Sequence, residues 1–358
     1  QRAFLFGLPM LLISLILILK GIKFNKKNYF LLAGYLIGIM PYFHMHSFIS
    51  ICVLLAFLIP YVIFTNLKES KEKFFNIIIY LLMPVIGLIL IQYPFLKSVD
   101  LNQTIGINWG WMKQNENFLI FWFKNTGLFI PLYISSIFMV RKNNLIVGLA
   151  LSSFLLYIIA NIFRFAPWPY DNLNIFTYWY LIGAFYVAII LSKMLSKKFF
   201  YKTLAILVTF SLIASGTIEL IKTLNINKNK ILLWNSSDFE ISLTIEKYTE
   251  PNALILIAPS HTHPVTTLAG RKALLGFPGN AWSWGLKNWA IRENDIRKMY
   301  TGQNEISTKI LLQRYGIDYV LISNYERNFA PNLNETYFAN NLEFVTAGEN
   351  FKLYKIYE

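Results

Sequence analysis

Side chains suited to chemistry fall into three short stretches of this sequence. The first is Ser260 to Gly285, SHTHPVTTLAGRKALLGFPGNAWSWG, which carries His261, His263, Arg271, a Pro-Gly turn, Trp282 and Trp284. The second is the PYFHMHSF segment with His44 and His46. The third is RFAPWPYDNLN, Arg164 to Asn174. The chain has only four histidines, so the two H-x-H pairs use all of them.

Residues i and i+2 share a face when the backbone is extended and part company on a helix. Each histidine pair can therefore ligate a divalent metal if its segment is extended, or one ring can hold a phosphate. The plain alternative is an interfacial turn, because a metal site needs further ligands. In the third stretch, Asp171 can orient a metal or act as a base. Arg164 offers a fork of N–H donors for a phosphate, while Trp168 and Tyr170 suit a membrane–water interface. The plain alternative for Arg164 to Asn174 is an interfacial loop with an Arg–Asp pair and a helix N-cap at Asp171 or Asn172. In the first stretch, the loop around His261, Arg271 and Trp282 can cover an acceptor, and Trp282 and Trp284 can stack on a sugar ring or sit among lipid headgroups.

The elements that must position these groups are mostly membrane spans. The 358 residues are 55% hydrophobic, 17% aromatic and only 15% charged, with mean hydropathy +0.45; soluble domains carry about 25% charge. A span needs about 20 mostly apolar residues. Eight stretches qualify, at roughly 3–19, 29–43, 47–65, 74–93, 118–140, 145–163, 174–192 and 203–221. The fifth is interrupted by Lys124 and Asn125, and its start is open to a shift toward Gly127. Cys52 is the single cysteine and excludes a disulfide framework. The chain begins at Gln1 without a Met and reads as a piece of a longer protein.

The net charge of +14 is uneven. Residues 1–224 hold 19 basic against 6 acidic residues, and residues 225–358 hold 14 against 13. The excess lies in short connections, where it sets membrane orientation rather than binding nucleic acid. Alternate connections hold 13 of those 19: Lys20, Lys23, Lys26 and Lys27; Lys68, Lys71 and Lys73; Arg141 and Lys142; and Lys193, Lys197, Lys198 and Lys202. Placing these in the cytoplasm puts the turn at Pro41–His46, the loops at about 94–117 and 164–173, and everything beyond Lys222 on the outer side. All three polar stretches then face that side of a plasma (inner) membrane.

From Asn225 the periodicity shortens. Ala253–Ala258, Tyr319–Ser323, Leu342–Thr346 and Phe351–Tyr357 read as strands, with Lys272–Gly276 a further one and the last two forming a hairpin. Ser307–Arg314 reads as a helix capped by Gly316. The expected architecture is a multi-span helical bundle, residues 1–224, followed by a soluble extracytoplasmic α/β domain, residues 225–358. Asn102, Asn235 and Asn334 begin N-x-S/T triplets. The sequence has no P-loop, no G-x-G-x-x-G and no G-x-S-x-G.

On PYFHMHSF after a span, PWPYDNLN before a span, and ALILIAPSHTHPVTTLAGR followed by YGIDYVLIS, the chain resembles the GT-C superfamily of integral membrane glycosyltransferases. The resemblance implies a polyprenyl-phosphate-linked sugar as donor and a glycan, lipid or protein as acceptor. It also implies chemistry at the outer mouth of the bundle, with a divalent metal in some members. The family's acidic residue lies in its first outer loop, which would precede Gln1, so the resemblance assigns that role to no residue here. Asp171 is the catalytic candidate of this chain. Arg164, Trp168, Asn172, Arg271, Trp282 and Trp284 are its substrate-binding candidates, and the four histidines its metal candidates. Two other classes remain open at this point. A transporter or flippase of a lipid-linked glycan would bury charges in mid-span, where only Glu219 comes near. A membrane-anchored ligand-binding or sensor protein would not need a shared cluster.

Overall fold

The structure is a computed structural model that describes residues 3–65, 70–97, 99–100, 104–302 and 304–357. Gln1, Arg2, Lys68 and Asn102 lie outside the described residues. The chain divides into two compact units, Gln1–Asn225 and Ile226–Glu358.

The first unit opens with α1 (Phe4–Phe24), α2 (Lys27–Phe43) and α3 (Met45–Thr65). Next, α4 (Ser70–Asn76) passes through a π-helical segment, Ile77–Leu82, into α5 (Met83–Leu96). Then come β1 (Gly106–Ile107), α6 (Phe118–Thr126), α7 (Phe129–Met139), α8 (Asn144–Ile162) and β2 (Phe163–Arg164). A 3-10 turn, Pro169–Asn172, leads into α9 (Leu173–Leu195), and α10 (Phe199–Leu224) closes the unit. All eight apolar stretches are helical. Among the described residues, six helices are long and apolar enough to cross a membrane: α1, α3, Lys71–Leu96, α8, Pro169–Leu195 and α10. This is a multi-pass membrane protein.

One of the eight expected spans needs correction. The second, α2, has 17 residues, about 25 Å at 1.5 Å per residue, at the short end of the range that crosses a membrane. The fifth is not one straight span: α6 and α7 meet at 85°. Lys124 and Asn125 do not cause the break. Both stay within α6, where the Asn125 amide donates to the Phe121 carbonyl at 2.8 Å and Lys124 pairs with Glu116. The chain turns at Gly127, whose φ of +55° suits glycine and few other residues. The contacts of the bent pair then progress along α9. Trp122 meets Phe176 and Trp179, Phe129 stacks on Tyr180 at 4.2 Å, and Tyr133 meets Tyr186.

Close approach of α2 to the π-helical segment and α5 rests on Gly34 and Gly38. A Cβ on Gly34 would sit 2.7 Å from the Leu81 carbonyl oxygen, and one on Gly38 the same distance from Leu88. Gln92 donates to the Gly38 carbonyl at 2.6 Å. On α10 only Ala205 is buried, so Phe210, Ile213 and Leu220 present a continuous apolar face of the kind that lipid covers.

The second unit holds α11 (Ser236–Tyr248), β3 (Leu254–Leu256), α12 (Pro264–Thr267), β4 (Lys272–Ala273), α13 (Pro278–Ser283), α14 (Trp289–Thr301), α15 (Glu305–Tyr315) and β5 (Tyr319–Ile322). It ends with α16 (Asn324–Phe329), α17 (Glu335–Asn341), β6 (Glu343–Ala347) and β7 (Lys352–Lys355). The sheet order is β4-β3-β5-β7-β6. β4, β3 and β5 are parallel, and β7 runs antiparallel to both β5 and β6. Each expected strand and the 307–314 helix is present, and Gly316 caps that helix at φ +62°.

All four residues of β5 are buried, as expected of a strand covered on both faces. Val320 and Ile322 join Ile296, Met299, Leu312 and Phe338 on one face. Tyr319 and Leu321 join Ile241, Ile245 and Val265 on the other. The period-2 alternation of a strand thus divides one four-residue run between two cores.

Candidate functional site

At one end of the first unit, His44 is the single non-helical residue between α2 and α3, with extended backbone at φ −159° and ψ 102°. Helix α1 comes so close that a Cβ on Gly7 would lie 2.3 Å from Ser47 Oγ and 2.7 Å from His44 Cβ. His44 Nδ1 accepts the Ser47 amide at 3.3 Å and lies 2.6 Å from Ser47 Oγ. With Nδ1 an acceptor, the imidazole proton belongs on Nε2 and the Ser47 hydroxyl donates to Nδ1. Tyr178, in α9, completes the chain, its hydroxyl 2.5 Å from Ser47 Oγ. His46 lies in the first turn of α3 with its ring centroid 5.6 Å from that of His44. Its Nε2 is buried and has no partner among the described residues.

The third stretch is folded against a loop that sequence reasoning treated as separate. β1 pairs antiparallel with β2, setting Gly106 opposite Arg164. Beyond it, the Asn108 and Gly110 amides donate to the Ile162 and Asn161 carbonyls. Trp111 donates through Nε1 to the Pro169 carbonyl at 2.8 Å and packs on Trp122 and Phe176. Trp122 in turn donates to Asn161 Oδ1 at 3.0 Å. Arg164 lies across Gly106, where a Cβ would be 2.7 Å from its Nε, and Nη1 donates to the Pro167 carbonyl at 2.9 Å. Asn172 is fully buried and ties the corner together. Its amide donates to the Ala160 and Phe163 carbonyls and its oxygen accepts the Phe165 amide. Asn172 is thus a structural knot rather than a group open to substrate. Asn174 donates to the Asp171 carbonyl at 2.9 Å. Trp109, Trp168 and Tyr170 are exposed at 62%, 58% and 53% around this corner, and Asp171 is half-buried in the 3-10 turn.

Ser47–Tyr178 places the His44 corner and the Arg164–Asp171 corner at the same end of the first unit. The lysine-rich connections gather at the opposite end. Asn76 donates to Asn25 Oδ1 at 3.1 Å between the segments carrying Lys71–Lys73 and Lys20–Lys27, and Lys27 lies over the Tyr80 ring. Gly148, close after Arg141 and Lys142, meets Tyr61 near the end of α3.

In the second unit the two histidines part company. His261 is exposed, its ring centroid 5.1 Å from that of Phe277. His263 is fully buried and caps α12. Its Nδ1 accepts the Val265 amide at 3.3 Å, so Nε2 carries the proton and donates to Glu326 Oε1 at 2.9 Å. Glu326 also accepts the Ala258 and Ser323 amides at 2.8 Å each and the Ser323 hydroxyl at 2.5 Å. Burial pushes this carboxyl up. Its bonds from His263, Ala258 and Ser323, with the attraction of the imidazole, outweigh that and hold it below the ordinary carboxylate value. Both ring nitrogens of His263 are occupied, which corrects its expected place among metal ligands: it fastens the loop after β3 to the start of α16.

Arg271 is likewise occupied. Nε donates to Thr249 Oγ1, Nη1 to the Ala269 carbonyl, and Nη2 to the Glu246 and Thr249 carbonyls, all at 3.0–3.2 Å. A cation bound to the last carbonyls of α11 offsets that helix's C-terminal dipole, so Arg271 caps a helix where substrate binding was expected. Trp282 is half-buried and Trp284 is 61% exposed, in a segment whose helix α13 buries no residue.

Among the described residues no three His, Cys, Asp or Glu side chains are placed to hold a metal ion. The expected four-histidine donor set does not fit one.

No family model matches the chain, and no curated protein matches it in sequence. Several solved structures match. Archaeal oligosaccharyltransferase AglB from Archaeoglobus fulgidus, in complex with an inhibitory peptide and a dolichol-phosphate, matches at TM-score 0.45 and 11% identity over 99% of this chain and 56% of that one. The A. fulgidus oligosaccharyltransferase tethered to an acceptor peptide matches at 0.44 and 12%, over 94% of this chain and 53% of that one. Its apo form matches at 0.45 and 11%, over 96% and 55%. The chain spans about half the length of these structures.

Sequence reasoning missed the Glu326 buttress and the β1–β2 clasp. Ser323-Asn-Tyr-Glu326 is a legible S-x-x-E capping box. The clasp had a weaker signal: Asn161 at the end of an apolar run, and the Trp-Gly-Trp at 109–111, where Gly110 adopts φ +77°.

Proposed function

We propose that this protein is a membrane glycosyltransferase that transfers a sugar from a polyprenyl-phosphate-linked donor to an acceptor at the outer face of the membrane. The reading rests on one observation above the others. Arg164, Asp171 and a rim of exposed aromatics stand on a rigid corner at one end of the helical unit, with His44 and His46 at that same end. The lysine-rich connections lie at the other end, where positive charge marks the cytoplasmic side. The sequence resemblance to GT-C enzymes points the same way.

Each group then has a role. A guanidinium carries five N–H donors, and Arg164 commits one to Pro167; the remainder meet the donor phosphate. The acceptor's oxygen or nitrogen attacks the anomeric carbon, and the bond from that carbon to the phosphate oxygen breaks. The electron pair leaves with the polyprenyl phosphate, whose charge Arg164 balances. Asp171 takes the proton from the acceptor. Trp168 and Tyr170 stack on sugar or seat the corner among headgroups.

A transport path through the bundle would call for charge buried in mid-span. Among the described residues of the first unit no Asp, Glu, Lys or Arg is buried. Glu219 lies exposed beside Lys222 at 3.2 Å.

Donor binding tests the reading. The whole protein in proteoliposomes is titrated with a fluorescent polyprenyl phosphate. Saturable binding that weakens about tenfold or more in Arg164→Ala, with the melting temperature held, supports it. Equal binding by wild type and Arg164→Ala contradicts it.

A further inference from the structure

The second unit contains a cleft of about 290 Å³ that none of the roles above uses. It opens where β5 ends, at Ser323, and the β6–β7 turn contributes Asn350. The N-terminus of α11 forms the remaining wall. β3 and β5 run parallel, so this is the carboxyl edge of the parallel strands, where ligands collect in α/β sheets.

The lining selects the ligand. Four asparagines line the cleft, Asn235, Asn324, Asn328 and Asn350, with Tyr325 and Ile241 beside them; the Asn324 oxygen also accepts from Arg327 Nη1 at 3.4 Å. Among the described residues no Lys, Arg or His lines it. Arg327, which bonds Asn324 Oδ1 and the Asn350 carbonyl at its edge, is paired with Glu335 at 2.8 Å, so a phosphate or carboxylate meets no uncommitted opposite charge. The α11 N-terminus does not supply one, because the Asp238 carboxylate in its first turn already offsets the helix dipole: the Asp238 amide donates to Asn235 Oδ1 and the Asn235 amide donates to Asp238 Oδ2. Asp238 is the one lining carboxylate. It is buried and also bonded by the Tyr325 hydroxyl, which leaves a cation little to bind. A carboxamide offers a donor and an acceptor side by side, the complement of neighbouring sugar hydroxyls. An aromatic ring with an aliphatic neighbour receives the C–H face of a pyranose.

We propose that this cleft binds a neutral sugar ring through the Asn235, Asn324, Asn328 and Asn350 amides, with Tyr325 beneath it. The assignment stands on this lining and does not depend on the transfer reaction.

Calorimetry on the whole protein tests it. The protein is held in amphipol, since glycosidic detergents would compete. Maltose, mannobiose and N,N′-diacetylchitobiose are titrated separately, with inorganic phosphate as the anionic probe. At least one disaccharide is expected to bind saturably, and phosphate is not. Asn328→Trp, which fills the mouth, and Asn350→Ala, which removes one amide, each weaken binding about tenfold or more at unchanged melting temperature. No saturable binding by any of the three sugars, binding that survives both substitutions, or phosphate binding lost in Asn328→Trp would each overturn the assignment. Sugar binding that persists while polyprenyl phosphate fails to bind would leave this site standing and remove the transfer reading instead.

Discussion

Ser47 Oγ lies 2.5 Å from the Tyr178 hydroxyl, and this bond joins the α2–α3 corner to the helix that starts just after Asp171. Through Ser47 it also reaches His44 Nδ1. Tyr178→Phe is expected to cost roughly 0.5–1.5 kcal/mol, the usual worth of one intramolecular hydrogen bond. Ser47→Ala removes the same chain from its middle, so the double variant costs clearly less than the sum of the two single ones. Melting of all four proteins in one detergent provides the check.

The buried His263–Glu326 pair is expected to support the second unit, not to bind metal. His263→Ala removes one of the four hydrogen bonds to the buried Glu326 carboxylate and is expected to cost roughly 1.5–3 kcal/mol, whereas added zinc leaves the wild-type melting temperature unchanged. The folded Glu326 carboxyl lies below its ordinary value. Its contribution is therefore fully present above the ordinary carboxylate range and is lost as pH falls through that range toward the lower folded value. Melting temperature against pH is expected to fall on the acid side in wild type. In Glu326→Gln, which starts lower, that window flattens.

Arg271 holds three carbonyls and a hydroxyl around the end of α11. Arg271→Ala is expected to lower stability by roughly 1.5–3 kcal/mol, the range for hydrogen bonds from a charged group. Arg271→Lys recovers little, because a point ammonium cannot reproduce the fork. If the residue instead bound substrate, both variants would melt like wild type.

At the α6–α7 break, Gly127 adopts φ +55° and ψ −127°. A Cβ there meets no atom within 4 Å, so the cost of Gly127→Ala is backbone strain alone, of order 1–3 kcal/mol. A melting temperature equal to wild type would show that the bend is not fixed by this residue.

Much of the fold was legible because its signals are local. Long apolar runs became helices, short β-branched runs became strands, and Gly316 ended its helix as its freedom at positive φ requires. The bend at Gly127 was harder to see, since nothing in the run 118–140 distinguishes a glycine inside a straight span from one that turns the chain. The site was legible in residue type but not in role. Arg271, Asn172 and His263 look like binding groups until their neighbours are known, and those neighbours lie 22 or more residues away for Arg271 at Thr249 and 63 away for His263 at Glu326. Polar side chains that close helix ends and loop corners carry the same letters as those that hold substrates.

Sugar transfer at the Arg164–Asp171 corner remains the proposed activity. The most direct test uses the whole protein in proteoliposomes with a radiolabelled polyprenyl-phosphate sugar and a mixed glycan and peptide acceptor pool, comparing wild type with Asp171→Asn. Labelled product is expected from wild type and at least about a hundredfold less from Asp171→Asn, within the range by which a general base contributes, at equal melting temperature. Product formed equally by both proteins, or by neither, would contradict it.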